Sequence, residues 1–197
     1  MNFTILNINK RTEAMNNMHT DVESVLVSEE QIDEITSKLG EQITEDHKSS
    51  KKLVLLCILK GSIVFYADLM RKIKMPCSLE FMRVSSYKGA ETTHQVTMLL
   101  DVEKKDVEDA DVIIVEDIID SGNTLSHLKH YIASKGAASV KTCTLLDKPS
   151  RRVVNLTPDY VGAEIPDEFV IGYGLDYNEK YRNLPYVGIL KREVYEK

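Results

Sequence analysis

Two adjacent carboxylates, a third three residues on, and a run of small hydroxyl, glycine and amide residues share one unbroken stretch of this 197-residue chain. It reads Glu116-Asp117-Ile118-Ile119-Asp120-Ser121-Gly122-Asn123-Thr124-Leu125. The second half suits an anion: small residues let backbone N–H groups converge at the start of a helix, and the Ser121 and Thr124 hydroxyls add donors. Such a turn holds a phosphate monoester. Glu116 and Asp117 are a poor arrangement for a phosphate but a good one for sugar hydroxyls or Mg²⁺. Phosphate at one end and a diol at the other describe a ribose 5-phosphate. Taken singly, Asp120 or Ser121 reads better as a helix cap. The combination behind a buried strand is what points to a site.

The elements that must position these groups are legible around them. Ser28-Glu29-Glu30-Gln31 matches a capping box, with Val27 placed to staple onto Ile32, so order is expected from about Ser28. Ile32, Ile35, Leu39 and Ile43 recur at helical spacing, and the polar stretch Glu45 to Lys52 closes that helix. Leu53 to Leu59 is apolar without alternation, as a strand buried on both faces requires. Lys60-Gly61 interrupts it, and Ser62 is placed to cap a second helix ending at Met75-Pro76. Ser78 to Val84 and His94 to Leu100 read as two strands joined by a polar loop, Ser85 to Thr93, too long for a tight turn. Val112 to Val115 is a further buried strand, followed by a polar turn from Glu116 to Asn123 and a helix capped by Gly136; Ser139 to Leu146 is the next strand.

This strand–helix alternation from Leu53 to Leu146 specifies an α/β fold, a parallel twisted sheet flanked by helices with right-handed crossovers. Ligands of such sheets bind at the carboxyl ends of the strands, so the turns after Leu59, Val115 and Leu146 should meet in one cleft. Beyond Asp147 the texture changes to short Pro, Tyr, Asn and Asp-rich segments, read as a small C-terminal hood drawn mainly from 150–190. Residues 1–20 read as a flexible extension and 21–197 as one domain.

Composition removes other classes. A net charge of −6 repels polyanions, so nucleic acid and anionic membrane are poor partners. Cys57, Cys77 and Cys143 are an odd, widely spaced set without C-x-x-C, which favours reduced thiols in the cytoplasm over a zinc site. The longest apolar runs fall far short of the roughly 20 residues that span a bilayer. No G-x-x-x-x-G-K-[ST] run exists, and Gly172-Tyr173-Gly174 lacks the third glycine of a dinucleotide fingerprint.

The strand and the acidic, small-residue turn behind it resemble the phosphoribosyl-pyrophosphate signature of the type I phosphoribosyltransferases. Further segments in order are similar to the hypoxanthine (hypoxanthine-guanine) phosphoribosyltransferases: Leu59-Lys60-Gly61, Ser85-Ser86-Tyr87, Leu146-Asp147-Lys148-Pro149, Ile165 to Val170, and Gly174-Leu175-Asp176-Tyr177 on to Arg182. The likeness covers roughly residues 25–190. It implies transfer of the 5-phosphoribosyl group from phosphoribosyl pyrophosphate to N9 of hypoxanthine, and of guanine, giving IMP or GMP and pyrophosphate in purine salvage.

What the resemblance implies for single residues follows motif by motif. Glu116 and Asp117 match the ribose-binding acids and Asp120 the residue that exchanges a proton with purine N7. Ser121, Gly122, Asn123 and Thr124 match the phosphate turn. Lys60, Gly61 and Arg182 match pyrophosphate contacts, the Lys60-Gly61 position carrying a cis-capable peptide, and Ser86 and Tyr87 match the tip of a closing loop. Lys148 matches the lysine that reads the 6-oxo group, Phe169 the ring that stacks on the purine, and Val170 a source of backbone groups at its edge. Asp176 matches the direct ligand of a Mg²⁺ cofactor, with Glu116 and Asp117 nearby, and a homodimer or homotetramer is implied. On the residues alone, Phe169 reads as a core ring and Lys148 as a solvated loop charge. The rival from another class is a regulator that senses the same ligands on the same fold; no basic helix-turn-helix segment supports it.

Overall fold

The computed structural model describes residues 18–86 and 96–196. Residues 1–17 of the expected extension, the expected loop from Tyr87 on, and the first two residues of the strand expected from His94 therefore lie outside the described residues. Order begins earlier than Ser28: β1 (Val22–Val27) precedes helix α1 (Glu29–His47). The Ser28 capping box is formed in both directions, Gln31 N–H donating to Ser28 Oγ at 3.3 Å and Ser28 N–H to Gln31 Oε1 at 2.8 Å.

The main sheet has six strands in the order β4-β3-β2-β5-β6-β7. These are β2 (Leu53–Leu59), β3 (Ser78–Ser86), β4 (Val96–Leu100), β5 (Asp111–Ile119), β6 (Ser139–Asp147) and β7 (Tyr160–Glu164). All pairs are parallel except β3 with β4. Helices α2 (Ile63–Lys72), α3 (Lys104–Val107) and α4 (Asn123–Ser134) fill the crossovers.

The unalternating apolar runs explain the layering. Leu53, Leu55, Cys57, Ile113 and Val115 pack with α1 and α2 residues such as Leu39 and Leu69 on one face. The intervening residues Val54, Leu56, Ile58, Val112 and Ile114 pack with Leu125, Leu128 and Ile132 of α4 on the other. Successive side chains of a strand point to opposite faces, so a strand covered on both sides must be apolar at every position.

Three sequence expectations are revised. Ser62 stands at the N-cap of α2 as expected, but its side chain does not cap it; the buried hydroxyl donates back to the Ile58 carbonyl. Tyr160 to Glu164 does not join the hood but pairs in parallel with β6 as an edge strand. The second sheet, order β1-β9-β8, is assembled from β1, β8 (Val170–Ile171) and β9 (Val187–Leu190), so its material comes from both ends of the chain. A one-turn helix α5 (Arg192–Tyr195) follows β9.

Candidate active site

Glu116 and Asp117 lie inside β5 and not in the turn. The strand runs on through Ile119, with Glu116 in register with Thr144 and Ile119 with Asp147. Asp117 Oδ1 accepts from the Ile118 N–H at 2.7 Å, and burial outweighs that bond to push its carboxyl up to about 6. Burial, with the Asp117 charge second, also holds Glu116 well above the usual carboxylate range. Two recessed carboxylates at a strand end are costly. The compensating charge at Asp117 is Arg182, opposed by Asp176.

Two glycines let backbone approach these acids. A Cβ on Gly61 would fall 1.6 Å from Asp117 Oδ2, and one on Gly174, which has φ +101°, would fall 1.9 Å from the Gly61 carbonyl oxygen. The turn after β2, the acid pair and the 174 turn are thus stacked without side chains between them. The Leu59–Lys60 peptide is cis, one bond before the position the sequence comparison pointed to.

The small-residue turn shrinks to Asp120, Ser121 and Gly122. Gly122, at φ +81°, is itself the N-cap of α4, so the capping role weighed for Asp120 does not exist. Ser121 Oγ accepts from Asn123 N–H at 3.4 Å. Asn123 and Thr124 open the helix, whose first-turn backbone N–H groups have no acceptor within the helix itself. The turn is fastened from beneath by a residue the sequence did not single out. Arg152 donates from Nε to the Asp120 carbonyl at 3.0 Å and from Nη1 to the Leu156 carbonyl at 2.6 Å, and it pairs with Asp147 through Nη2. Val153 N–H adds a bond to the Ser121 carbonyl at 3.1 Å.

Beside the acid pair Arg182 reaches Asp176 Oδ1 at 2.8 Å and the Gly174 carbonyl at 2.7 Å, and its Nε is buried without a partner among the described residues. Lys60 Nζ is paired with Glu179 at 3.0 Å, and Glu179 N–H donates to Asp176 Oδ2 at 2.9 Å.

At the other end Lys148, Phe169 and Val170 line a cavity of about 380 Å³ together with Asp120, Asp176 and Tyr195. Lys148 is only 7% exposed, contrary to a solvated loop charge. Its Nζ donates to the Glu168 carbonyl at 2.7 Å and stands 3.8 Å from Asp120 Oδ1. Phe169 is 38% exposed and not a core ring, while Val170 is buried in β8.

The phosphoribosyl transferase domain model matches residues 23–178. The chain is 50% identical over 181 residues to the hypoxanthine-guanine phosphoribosyltransferase of Staphylococcus epidermidis, covering 91% of this chain and all of that one. The corresponding Lactococcus lactis protein is 50% identical over 182 residues, covering 92% and 98%. A crystal structure of a hypoxanthine phosphoribosyltransferase from Staphylococcus aureus superposes with a TM-score of 0.87 at 46% identity, over 92% of this chain and 98% of that one.

The chain belongs to the phosphoribosyltransferase family.

It is an enzyme that transfers a pentosyl group. In this phosphoribosyltransferase the acid pair, the Asp120–Thr124 turn, Lys60-Gly61, Arg182 and the Lys148 cavity stand at the carboxyl ends of β2, β5 and β6, as the α/β reading required. Ser86 ends β3, at the border of the described residues. Sequence reasoning passed over Arg152 and Tyr195, and gave Asp147 no role of its own. No spacing signal separates Arg152 from its neighbour Arg151, which turns outward to Asp167 at 3.2 Å.

Proposed function

We propose that this phosphoribosyltransferase joins N9 of a 6-oxopurine, hypoxanthine or guanine, to C1 of phosphoribosyl pyrophosphate in purine salvage. The observation that carries the reading is Lys148: a recessed ammonium beside Asp120 in a cavity walled by an exposed Phe169. An ammonium offers donors and no acceptor, so it complements a 6-oxo group and leaves a 6-amino group unpaired. The names of the relatives agree.

The 5-phosphate sits on the Ser121–Thr124 turn and the ribose hydroxyls on Glu116 and Asp117, whose negative charge lies beside the sugar as it becomes cationic. The bond from C1 to the pyrophosphate oxygen breaks with its electron pair leaving on pyrophosphate. The N9 lone pair forms the new bond, and the N7 proton passes to the Asp120 carboxylate. Arg182 and Lys60 hold the leaving group, and Phe169 stacks on the base with Val170 backbone groups at its edge.

The acids also offer carboxylates to a Mg²⁺, although among the described residues no three acids, cysteines or histidines gather into a metal cluster. Burial leaves Asp117 and Glu116 short of positive charge, and magnesium takes one or two carboxylates plus substrate phosphate oxygens. Asp176, with Glu116 and Asp117, would hold it; when bound it supplies charge neutralisation for pyrophosphate. A cytoplasmic setting is supported by three free cysteines and by the lack, among the described residues, of any helix long and apolar enough to cross a membrane.

The test is nucleotide formation from hypoxanthine, phosphoribosyl pyrophosphate and Mg²⁺, with and without the metal. Turnover that needs all three supports the reading. Binding of phosphoribosyl pyrophosphate without turnover would favour a sensor.

A further inference from the structure

The chain ends in a one-turn helix, and its last aromatic, Tyr195, reaches the base cavity from outside every segment assigned a role above. Its ring lies nearly parallel to that of Phe169, centroids 4.9 Å apart and planes 25° apart. Tyr177 meets Phe169 edge-on, at 5.6 Å and 88°. The backbone of Phe169 is fixed independently, its carbonyl accepting from Leu190 N–H at 2.8 Å and the next residue pairing with β9 at Ile189. The orientation of its ring is therefore set by these two tyrosines.

We infer that Tyr195 is a positioning residue for the purine: it backs Phe169 and fixes the ring plane that the base stacks on. The inference rests on the reading of Phe169 as the stacking ring. Near-parallel rings 4.9 Å apart leave no room for a third ring between them, so Tyr195 is not a sandwich partner across the base. Phe169 stays 38% exposed with Tyr195 and Tyr177 in place, so the residue is not fully covered by them, and it lines the cavity. The placement of Tyr195 is built and not incidental. β9 ends at Leu190, Lys191 N–H is held by the Asp21 carbonyl at 3.0 Å, and Val194 N–H returns to the Lys191 carbonyl at 3.0 Å, which turns the chain end back over Phe169.

A stacked aromatic pair contributes enough to shift an equilibrium by about 3- to 10-fold. The experiment is steady-state kinetics on the full chain, comparing KM for hypoxanthine with KM for phosphoribosyl pyrophosphate in Tyr195→Ala, Tyr195→Leu, Tyr195→Phe and Phe169→Leu. Tyr195→Ala and Tyr195→Leu should raise the hypoxanthine KM about 3- to 10-fold and leave the phosphoribosyl pyrophosphate KM alone, and Tyr195→Phe, which keeps the ring, should restore the parent value. An unchanged or lower hypoxanthine KM in Tyr195→Ala, while Phe169→Leu raises it, would overturn the positioning role. Equal rises in both KM values, or no rescue by Tyr195→Phe, would overturn it as well. If Phe169→Leu itself leaves the hypoxanthine KM unchanged, the stacking reading fails first and takes the inference with it.

Discussion

Asp117 carries a protonation equilibrium displaced to about 6 by burial, against 3.8 for an ordinary aspartate. Between these values the native chain holds a proton that the unfolded chain has lost. Stability therefore falls as pH rises from about 4 to about 6, and the cost is complete above that window. Asp117→Asn should raise the stability of the ligand-free enzyme by roughly 1–3 kcal/mol at pH 7 and by almost nothing near pH 4, read by thermal melts at both. A neutral result at pH 7 would mean the carboxylate is not strained. Asp120 belongs to the same scale. Because Gly122 caps α4, Asp120→Asn removes no cap; melting should stay unchanged while turnover drops by roughly 10²-fold or more, measured by product formation. A variant with parent turnover would remove Asp120 from proton transfer. Sequence could name these acids because their types and spacing are local. It misjudged Lys148 and Phe169 on their own chemistry, since the burial of Lys148 depends on a carbonyl 20 residues on and the exposure of Phe169 on where β8 begins.

At the level of elements, the acidic stretch is divided differently from its sequence texture. Polar residues usually end a strand, yet β5 continues through Glu116 and Asp117 because β6 keeps pairing with it to Ile119. The real turn is three residues long, and it is fastened by the segment after β6. Arg152 and Asp147 form a pair in which both side chains are nearly buried, 13% and 9% exposed. Arg152→Met strips the partner from a buried carboxylate and two carbonyls, so denaturant titration should register a loss of about 3–5 kcal/mol. Adding Asp147→Asn should recover a large part of it, because the uncompensated charge is gone. A loss below about 1 kcal/mol would place the pair in the class of surface contacts. Nothing in the dipeptide Arg151-Arg152 tells which guanidinium turns inward; the one-turn helix Pro149–Arg151 lies between β6 and Arg152, whose guanidinium meets the Asp120 carbonyl and Asp147.

Across the whole molecule, the parallel sheet was legible because each buried strand is a continuous apolar run and each crossover helix has its own period. The second sheet was not. β1 pairs Val22 with Leu190 and Val27 with Val187, bringing together segments from opposite ends of the chain, and β7 is a five-residue edge strand, Val-Gly-Ala at its centre, with no alternation to mark it. Together the two sheets bring the Asp120–Thr124 turn, the acid pair and the Lys60 and Arg182 cations next to a cavity lined by Asp120, Asp176 and Lys148. The central claim is that this cavity selects a 6-oxopurine. The most direct measurement is the ratio of kcat/KM for hypoxanthine to that for adenine with phosphoribosyl pyrophosphate and Mg²⁺. A site built on a specific hydrogen bond gives a ratio of about 10⁴, falling steeply in Lys148→Gln, whose amide both donates and accepts. Comparable values for the two bases in the parent enzyme would contradict the account.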